Sequence, residues 1–117
     1  MTNKQAFNLA SICGILTNSK QLSFGTIRRL SKNAKVIETL SKEVQEINKL
    51  GVDKEKSKEE IETEIAEFEN EEFKGEFEQI KLDLVDDVKS EIISVKGYKD
   101  LDINVALLIL EQNNLLA

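Results

Sequence analysis

Residues 23–75 decide the fold, and they read SFGTIRRLSKNAKVIETLSKEVQEINKLGVDKEKSKEEIETEIAEFENEEFKG. Apolar side chains recur through this stretch at gaps of about three and four, which is typical of a helix face and not of a strand. They are Leu30, Ile37, Leu40, Val44 and Ile47 in the first half, and Ile61, Ile65 and Phe68 in the second. We therefore predict two helices, joined by polar residues 51–56 and packed antiparallel as a hairpin.

Capping residues set the expected helix ends. Ser23 can accept a hydrogen bond from a first-turn N–H, and Gly51 is expected to end the first helix in a left-handed conformation. Ser57, with a glutamate three residues later, forms a capping box for the second helix, which we expect to end at Gly75. The one polar residue in the stripe, Asn33, either fixes the register of the pairing or only interrupts the seam.

Both ends of the chain are expected to form helices that pack on the hairpin. Thr2 or Asn3 can cap a helix that reaches about residue 17. Asp102 can cap a last helix over residues 103–112. That helix is apolar nearly all round, so it must be buried in the core or in an oligomer, and we expect a homo-oligomer.

The connection after the hairpin has weaker patterns. A short alternation favours one strand segment near residues 78–82, helical spacing favours a helix over residues 83–94, and residues 96–98 are expected to turn. The predicted fold class is mainly α: an antiparallel helical hairpin with packed N- and C-terminal helices. We expect one helical domain over residues 1–117, with its core in the hairpin.

The composition excludes several kinds of chemistry. There is no histidine, so Ser-His-Asp and Cys-His mechanisms are excluded, as in practice are zinc sites with nitrogen and sulfur ligands. No phosphate-binding glycine loop occurs. Glutamates of the second helix could bind Mg²⁺, but such a site would need further acids, for which three aspartates are candidates. The preferred interpretation is that the glutamates form a solvated acidic face. These are Glu60, Glu64 and Glu67 in the helix, and Asp83, Asp86 and Asp87. We expect no enzyme and no cofactor.

The single cysteine and the hydropathy suggest a compartment. Cys13 lies on an apolar helix face and is expected to be a buried core residue, which agrees with a reducing compartment. Neither a signal peptide nor a run of about 20 apolar residues is present. We therefore expect no membrane association and a location in the cytoplasm of a bacterial or infected cell, with virion association as an option.

Charge is distributed unevenly along the chain. Residues 1–37 contain six of the 16 bases and none of the 22 acids, so they carry +6 and the remainder carries −12. One interpretation is intramolecular, with Lys35 opposite Glu72 and Arg29 opposite Glu78 across the hairpin. The alternatives are a phosphate-binding stripe or a protein-docking surface. The candidate partner-binding residues are Arg28, Arg29, Lys32 and Lys35 on the basic side, and Glu64, Glu67 and Glu71 on the acidic side.

The order of these elements resembles a group of small uncharacterised helical proteins encoded by phages and prophages. The similarity lies in a short helix, the polar and basic residues 19–35, the charged hairpin and an ending that reads ISVKGYKDLD followed by ALLIL. It implies a phage or prophage origin and supplies no catalytic residues.

Two functions are expected ahead of the others. The first is a non-catalytic helical protein–protein interaction protein that acts in virion assembly or in a phage–host complex, with a protein partner that the sequence does not identify. The alternative is an acidic inhibitor, a nucleic-acid mimic, of a host or defence enzyme that binds nucleic acid. A weaker alternative is nucleic-acid binding through the basic residues 20–35, which net charge −6 disfavours.

Overall fold

The computed structural model describes residues 1–81 and 88–116. Helices dominate this part of the chain, which confirms the mainly α prediction, and one small antiparallel sheet accompanies them. In chain order the elements are α1 (Asn3–Leu16), α2 (Phe24–Ala34), α3 (Val36–Asp53), α4 (Lys58–Asn70), β1 (Ile92–Ile93), β2 (Leu101–Asp102) and α5 (Ile103–Gln112).

Four helices begin at the residues that the capping pattern indicates. Thr2 caps α1 in a capping box with Gln5, and Ser23 accepts a hydrogen bond from the Thr26 N–H at the start of α2. The caps of α4 and α5 are Ser57 and Asp102. Each cap satisfies N–H groups that have no partner within the helix, so a local signal suffices to place these starts.

The buried apolar cluster is built mainly on α1 and α5. It also takes in Leu30 of α2, Ile80, Ile93 of β1 and Leu115. No residue of α3 or α4 belongs to it, although Leu40 and Ile61 are also buried. Our expectation that the hairpin holds the main core therefore needs correction: α1 is the helix that touches all the others.

The first helix of the hairpin is not continuous. It breaks at Lys35, whose N–H bonds the Lys32 carbonyl three residues back at 3.3 Å, and the Glu38 N–H in turn bonds the Lys35 carbonyl at 3.1 Å. This tighter turn separates α2, which packs on α1, from α3, which packs on both α1 and α4. The apolar spacing runs through the break, so the sequence pattern does not show it.

The predicted end of that helix at Gly51 is wrong, because α3 continues to Asp53. Gly51 lies inside the helix and is buried against Ile61, where an added Cβ would lie 2.5 Å from Cγ1. The left-handed residue is Glu55, with φ +56. The Lys56 N–H donates to the Gly51 carbonyl at 2.9 Å, so the helix ends in a Schellman motif. The left-handed position of this motif, usually a glycine, is occupied by Glu55.

The second helix of the hairpin ends at Asn70, five residues before the predicted Gly75. The chain then runs without helix to residue 81, and other segments hold it. Asn3 N–H donates to the Glu71 carbonyl at 2.9 Å, and Phe73 N–H donates to the Met1 carbonyl at 2.8 Å. Backbone pairing with the N-terminus therefore competes successfully with helix formation here.

The far end of this connection is held by buried Asn33 and by the C-terminus. Asn33 bonds the backbone of Glu78, and the Ile80 N–H donates to the Leu115 carbonyl at 2.8 Å. Ile80 forms an isolated bridge with Leu116, so the described part of residues 78–82 holds a single bridge residue in place of the expected strand.

The sheet lies outside the region where a strand was expected. β1 and β2 pair antiparallel, with Ile92 opposite Asp102, around a turn in which Gly97 has φ +90. The predicted helix over residues 83–94 is wrong in its described part, because residues 88–94 contain β1; residues 83–87 lie outside the described residues. Pairing with β2 makes residues 92–93 a strand, and the apolar i, i+3 spacing of the sequence does not show this pairing.

The last helix, α5, has the predicted bounds but is not buried all round. Ile103, Ala106, Leu107 and Leu110 lie in the core. Val105 and Leu108 remain 51% and 52% exposed. The chain thus leaves apolar side chains on its surface at this helix as well as on the hairpin.

Candidate interaction surface

An open groove of about 470 Å³ lies where α1, α3 and α4 meet. Its apolar lining comes from Phe7, Leu40, Val44 and Phe68, of which only Leu40 is fully buried. Phe7 on α1 is 39% exposed. The polar side chains around it are Asn3, Lys4, Asn8, Ser41, Gln45 and Glu69.

A second groove of the same volume continues from the first toward the turn of the hairpin. Its apolar lining is Val44, Val52, Ile61 and Ile65, and Val44 and Gln45 belong to both grooves. We call the two together the hairpin groove, with a proximal half beside α1 and a distal half near the turn. All residues that line the distal half come from positions 44–65, so only α3, α4 and the turn form it.

The apolar stripes of the hairpin are therefore covered on one side only. Two packed helices bury only a narrow seam between them. Apolar side chains beside that seam stay partly exposed along one edge. Val44, Ile65 and Phe68 are half-buried, while Leu50 and Val52 near the turn are 56% and 63% exposed. The apolar spacing of Val44, Ile65 and Phe68 predicts that they lie on the helix faces that meet, but it does not show that a groove stays open beside them, because this depends on how other helices dock.

Charged residues border both ends of the hairpin groove. At the turn end Lys56 pairs with Glu64, and this hydrogen bond raises the pKa of the Lys56 ammonium. Lys58 lies 3.9 Å from Glu62 in an exposed pair one helical turn apart. At the end beside α1 the groove has an acid, Glu69, together with Lys4.

The acidic candidate residues do not form one uniform row. Glu64 is engaged with Lys56, whereas Glu67 is exposed on α4. Glu71 is exposed just past the end of the helix, with extended backbone, and its carbonyl accepts from Asn3. Two of the three candidates thus also have local structural contacts.

The basic candidates are all exposed on α2 or at its end: Arg28, Arg29, Lys32 and Lys35. The ion pair formed there is Lys32–Glu78 at 3.5 Å. The expected pairs of Lys35 with Glu72 and of Arg29 with Glu78 are not among the ion pairs of residues 1–81 and 88–116, so this part of the charge interpretation is wrong in detail. The register differs because the chain after Asn70 is extended and no longer helical.

A polar cluster that the sequence analysis did not identify joins the α1–α2 connection to the residues before β1. The Glu91 carboxylate accepts from Ser19 Oγ at 2.7 Å, from Lys20 N–H at 3.0 Å and from Gln21 Nε2 at 3.0 Å. Gln21 also exchanges two hydrogen bonds of 2.7 Å with the backbone of Lys89. The three hydrogen bonds to the carboxylate lower the pKa of Glu91, and the bond from the Lys20 backbone contributes most.

The residues considered for chemistry are placed as follows. Cys13 is fully buried, as predicted, and burial raises the pKa of its thiol to about 11. Its thiol is therefore protonated and unreactive near neutral pH. Within residues 1–81 and 88–116 no three acidic or cysteine side chains converge as metal ligands. The aspartates considered as further Mg²⁺ ligands lie outside the described residues.

No helix in the described part of the chain is both long enough and apolar enough to cross a membrane. Comparisons of the chain with protein-family models, with curated proteins and with solved structures gave no match in any of the three. The resemblance to phage-encoded proteins therefore stays a prediction.

Proposed function

We propose that this chain is a non-catalytic helical interaction protein that binds a protein partner in the hairpin groove. Its setting, inferred from the resemblance, is virion assembly or a phage–host complex in the cytoplasm of the bacterial or infected cell. The observation that carries the proposal is the pair of adjoining, partly open apolar grooves along α3 and α4, lined by Phe7, Val44, Ile65 and Phe68.

A partner that covers this groove removes apolar surface from water, which favours binding. Each Å² of apolar surface removed from water contributes about 25 cal/mol. In helix-in-groove recognition, an amphipathic helix places its apolar side chains in an apolar groove. Phe7 and Phe68 line the proximal half that would receive them, and Val52 offers a further apolar contact at the distal half.

The test is capture of cellular partners with wild-type protein and the groove variant Val44→Glu. We expect the variant to lose the partner, because a charge would be buried without a counter-ion. The matched control is Val105→Glu, which makes the same change at an exposed position on α5. Unchanged capture by Val44→Glu, with circular dichroism confirming its fold, would contradict the proposal.

The alternative is the acidic inhibitor that occupies a nucleic-acid-binding surface. The observation in its favour is the composition of α4, which reads KEEIETEIAEFEN and carries six glutamates. Under this alternative the triple reversal Glu64→Lys, Glu67→Lys and Glu71→Lys abolishes capture, and salt weakens it, since exposed charges are screened within about 8 Å at physiological ionic strength.

The weaker alternative is nucleic-acid binding through residues 20–35, supported by the exposure of Arg28, Arg29, Lys32 and Lys35. The double reversal Arg28→Glu and Arg29→Glu separates it from the others. Under this alternative a labelled DNA or RNA duplex binds the wild type with steep salt dependence and does not bind the reversed protein. We favour the groove, because an acidic chain repels a polyanion.

A further inference from the structure

We propose that the outer face of α2 is a second docking surface, which binds a short acidic segment of a protein partner through Phe24, Arg28 and Arg29. No residue of α2 lines the hairpin groove, so this surface is separate from the one proposed above. Three features support it: α2 is firmly held, its outer face combines an exposed aromatic residue with cations, and these cations have few acids beside them.

The inner side of α2 fixes the helix in place. Leu30 is 1% exposed and belongs to the main apolar cluster, and Asn33 bonds the backbone of Glu78. Ser23 caps the first turn by accepting a hydrogen bond from the Thr26 N–H. Because the helix is already ordered, it loses little conformational freedom when its other side binds a partner.

The outer side of α2 carries one exposed aromatic residue among basic side chains. Phe24 is 79% exposed, the largest exposed fraction among the large apolar side chains of the described residues. At about 100° per residue, Arg28 and Lys32 lie about 40° and 80° from Phe24 around the helix axis. Arg29 lies next to them on the same exposed side. Aromatic residues and arginine are enriched in the surfaces through which proteins bind each other, so this combination indicates a docking surface.

The two arginines are not used within the molecule. Lys32 lies 3.5 Å from Glu78, but neither Arg28 nor Arg29 takes part in an ion pair in the part of the chain that the structure describes. The first acid in the sequence is Glu38, so α1 and α2 contain none. Positive charge therefore remains available near the start of α2, where the helix dipole also favours an anion.

These side chains fit carboxylates on a protein better than a nucleic acid. A guanidinium group donates two parallel hydrogen bonds to a carboxylate, and Phe24 offers contact to an apolar side chain beside it. A nucleic acid needs a longer run of cations, and farther along α2 it would meet Glu78 beside Lys32 and exposed Glu38. A short acidic segment at the arginines avoids both acids. Exposed acids elsewhere in the chain are screened within about 8 Å at physiological ionic strength.

The approach to the two arginines is open. A Cβ atom added at Gly25 would meet no side chain and no distant backbone within 4 Å. Gly25 is about 100° from Phe24 around the helix, which places it between Arg28 and Arg29. A partner can therefore come close to the helix here, and a side chain introduced at Gly25 changes the surface without disturbing the core.

The first experiment measures binding of a labelled short peptide, built from the repeat Glu-Glu-Phe, to the full chain by fluorescence anisotropy. Arg28→Glu should weaken binding about tenfold or more, because it replaces an attraction with a repulsion. The matched control is Lys42→Glu, which makes the same change of charge at an exposed position on α3 and should leave binding nearly unchanged. Added salt should weaken binding to the wild type.

Gly25→Glu separates binding from folding. Glutamate favours helix more than glycine does and suits the first turn, so the variant should be at least as stable as the wild type in urea. It should nevertheless weaken peptide binding about tenfold, because it places a carboxylate between the arginines. Gly25→Gln adds a side chain of the same size without charge, and it should keep most of the binding.

The contribution of Phe24 is measured with a second peptide, in which serine replaces phenylalanine in the repeat. The wild type should bind the peptide with phenylalanine several-fold more tightly than the peptide with serine. Phe24→Ser should remove this preference, since the two aromatic side chains then no longer contact each other. A preference that persists in Phe24→Ser would contradict the role of Phe24.

The remaining outcomes decide the surface as a whole. No peptide binding to the wild type, or equal binding by Arg28→Glu and Lys42→Glu, overturns the proposal. A labelled single strand or duplex of DNA that binds more tightly than the peptide, and is lost in Arg28→Glu, also overturns it and assigns the surface to nucleic acid. The capture experiment with Val44→Glu concerns the groove alone, so the two proposals fail independently.

Discussion

The side-chain amide of Asn33 bonds both backbone groups of Glu78. Its Nδ2 donates to the Glu78 carbonyl at 2.9 Å, and its Oδ1 accepts from the Glu78 N–H at 2.8 Å. Asn33 is 2% exposed, so water cannot replace either bond easily. This residue ties α2 to the extended connection after α4 and not to the second helix of the hairpin, whose register it was considered to fix.

Replacing Asn33 should be costly. Asn33→Ala leaves the two backbone groups of Glu78 without a partner, and we expect a loss of about 1–3 kcal/mol in the free energy of unfolding. The control is Lys32→Ala, which removes the exposed ion pair to the same glutamate and should cost about 0–1 kcal/mol. Urea denaturation of the two variants provides the comparison. Equal losses would mean that the amide bonds contribute no more than a surface contact.

Gly51→Ala should destabilise the hairpin even though alanine favours helix. The new methyl group would meet Ile61 Cγ1 at 2.5 Å, and such overpacking costs about 1–3 kcal/mol. In the Ile61→Ala background the same change should instead stabilise by up to about 1 kcal/mol, since only helix propensity remains. Chemical denaturation of this double-mutant cycle measures the difference. A stabilising Gly51→Ala in the wild-type background would refute the close contact.

Glu55→Gly should stabilise the protein. Glu55 has φ +56, a left-handed conformation that costs a residue with a side chain about 1–2 kcal/mol and costs glycine little. We expect a gain of about 0.5–1 kcal/mol. The neighbouring change Lys54→Gly, at φ −92, should lose a similar amount, because there glycine only adds freedom to the unfolded chain. Thermal unfolding checks that the two substitutions have opposite signs.

Leu40→Ala tests the seam of the hairpin. Leu40 is buried, so its truncation should cost about 2–5 kcal/mol. Ile37 is only half-buried, and Ile37→Ala should cost less. Equilibrium unfolding in denaturant measures the free energy lost in each of the two variants. Losses below about half a kcal/mol at both positions would argue against the hairpin itself.

Acid should weaken the protein partly through Glu91. The hydrogen bonds from Lys20, Ser19 and Gln21 hold the pKa of its carboxyl below the ordinary value. Its contribution to stability is therefore complete above the unfolded pKa, about 4.3, and is lost as the pH falls through that value toward the folded pKa.

The measurement is the free energy of unfolding between about pH 3 and pH 6. Glu91→Gln should lower stability at pH 6 and flatten the dependence on pH. Ser19→Ala removes one of the donors and should flatten it partly. If Glu91→Gln leaves the pH dependence unchanged, groups other than Glu91 cause the loss of stability in acid.

Local sequence determined where helices begin. The caps at Thr2, Ser23, Ser57 and Asp102 each bond an N–H within three residues, so the information is contained in a few consecutive positions. The apolar spacing likewise placed the two helices of the hairpin and the buried position of Cys13. These features depend on the chain near each residue, and any compact fold would use them.

Tertiary contacts decided where α4 ends and which apolar faces stay uncovered. The end of α4 at Asn70 and the strand at Ile92–Ile93 go with backbone pairing to the N-terminus and to β2. Asn33 and Glu78 are 45 residues apart, and Ser19 and Glu91 are 72 apart. The groove along α3 and α4 has α1 as a wall only in its proximal half. No local pattern records such docking, because the free energy of each contact depends on residues that only folding brings together.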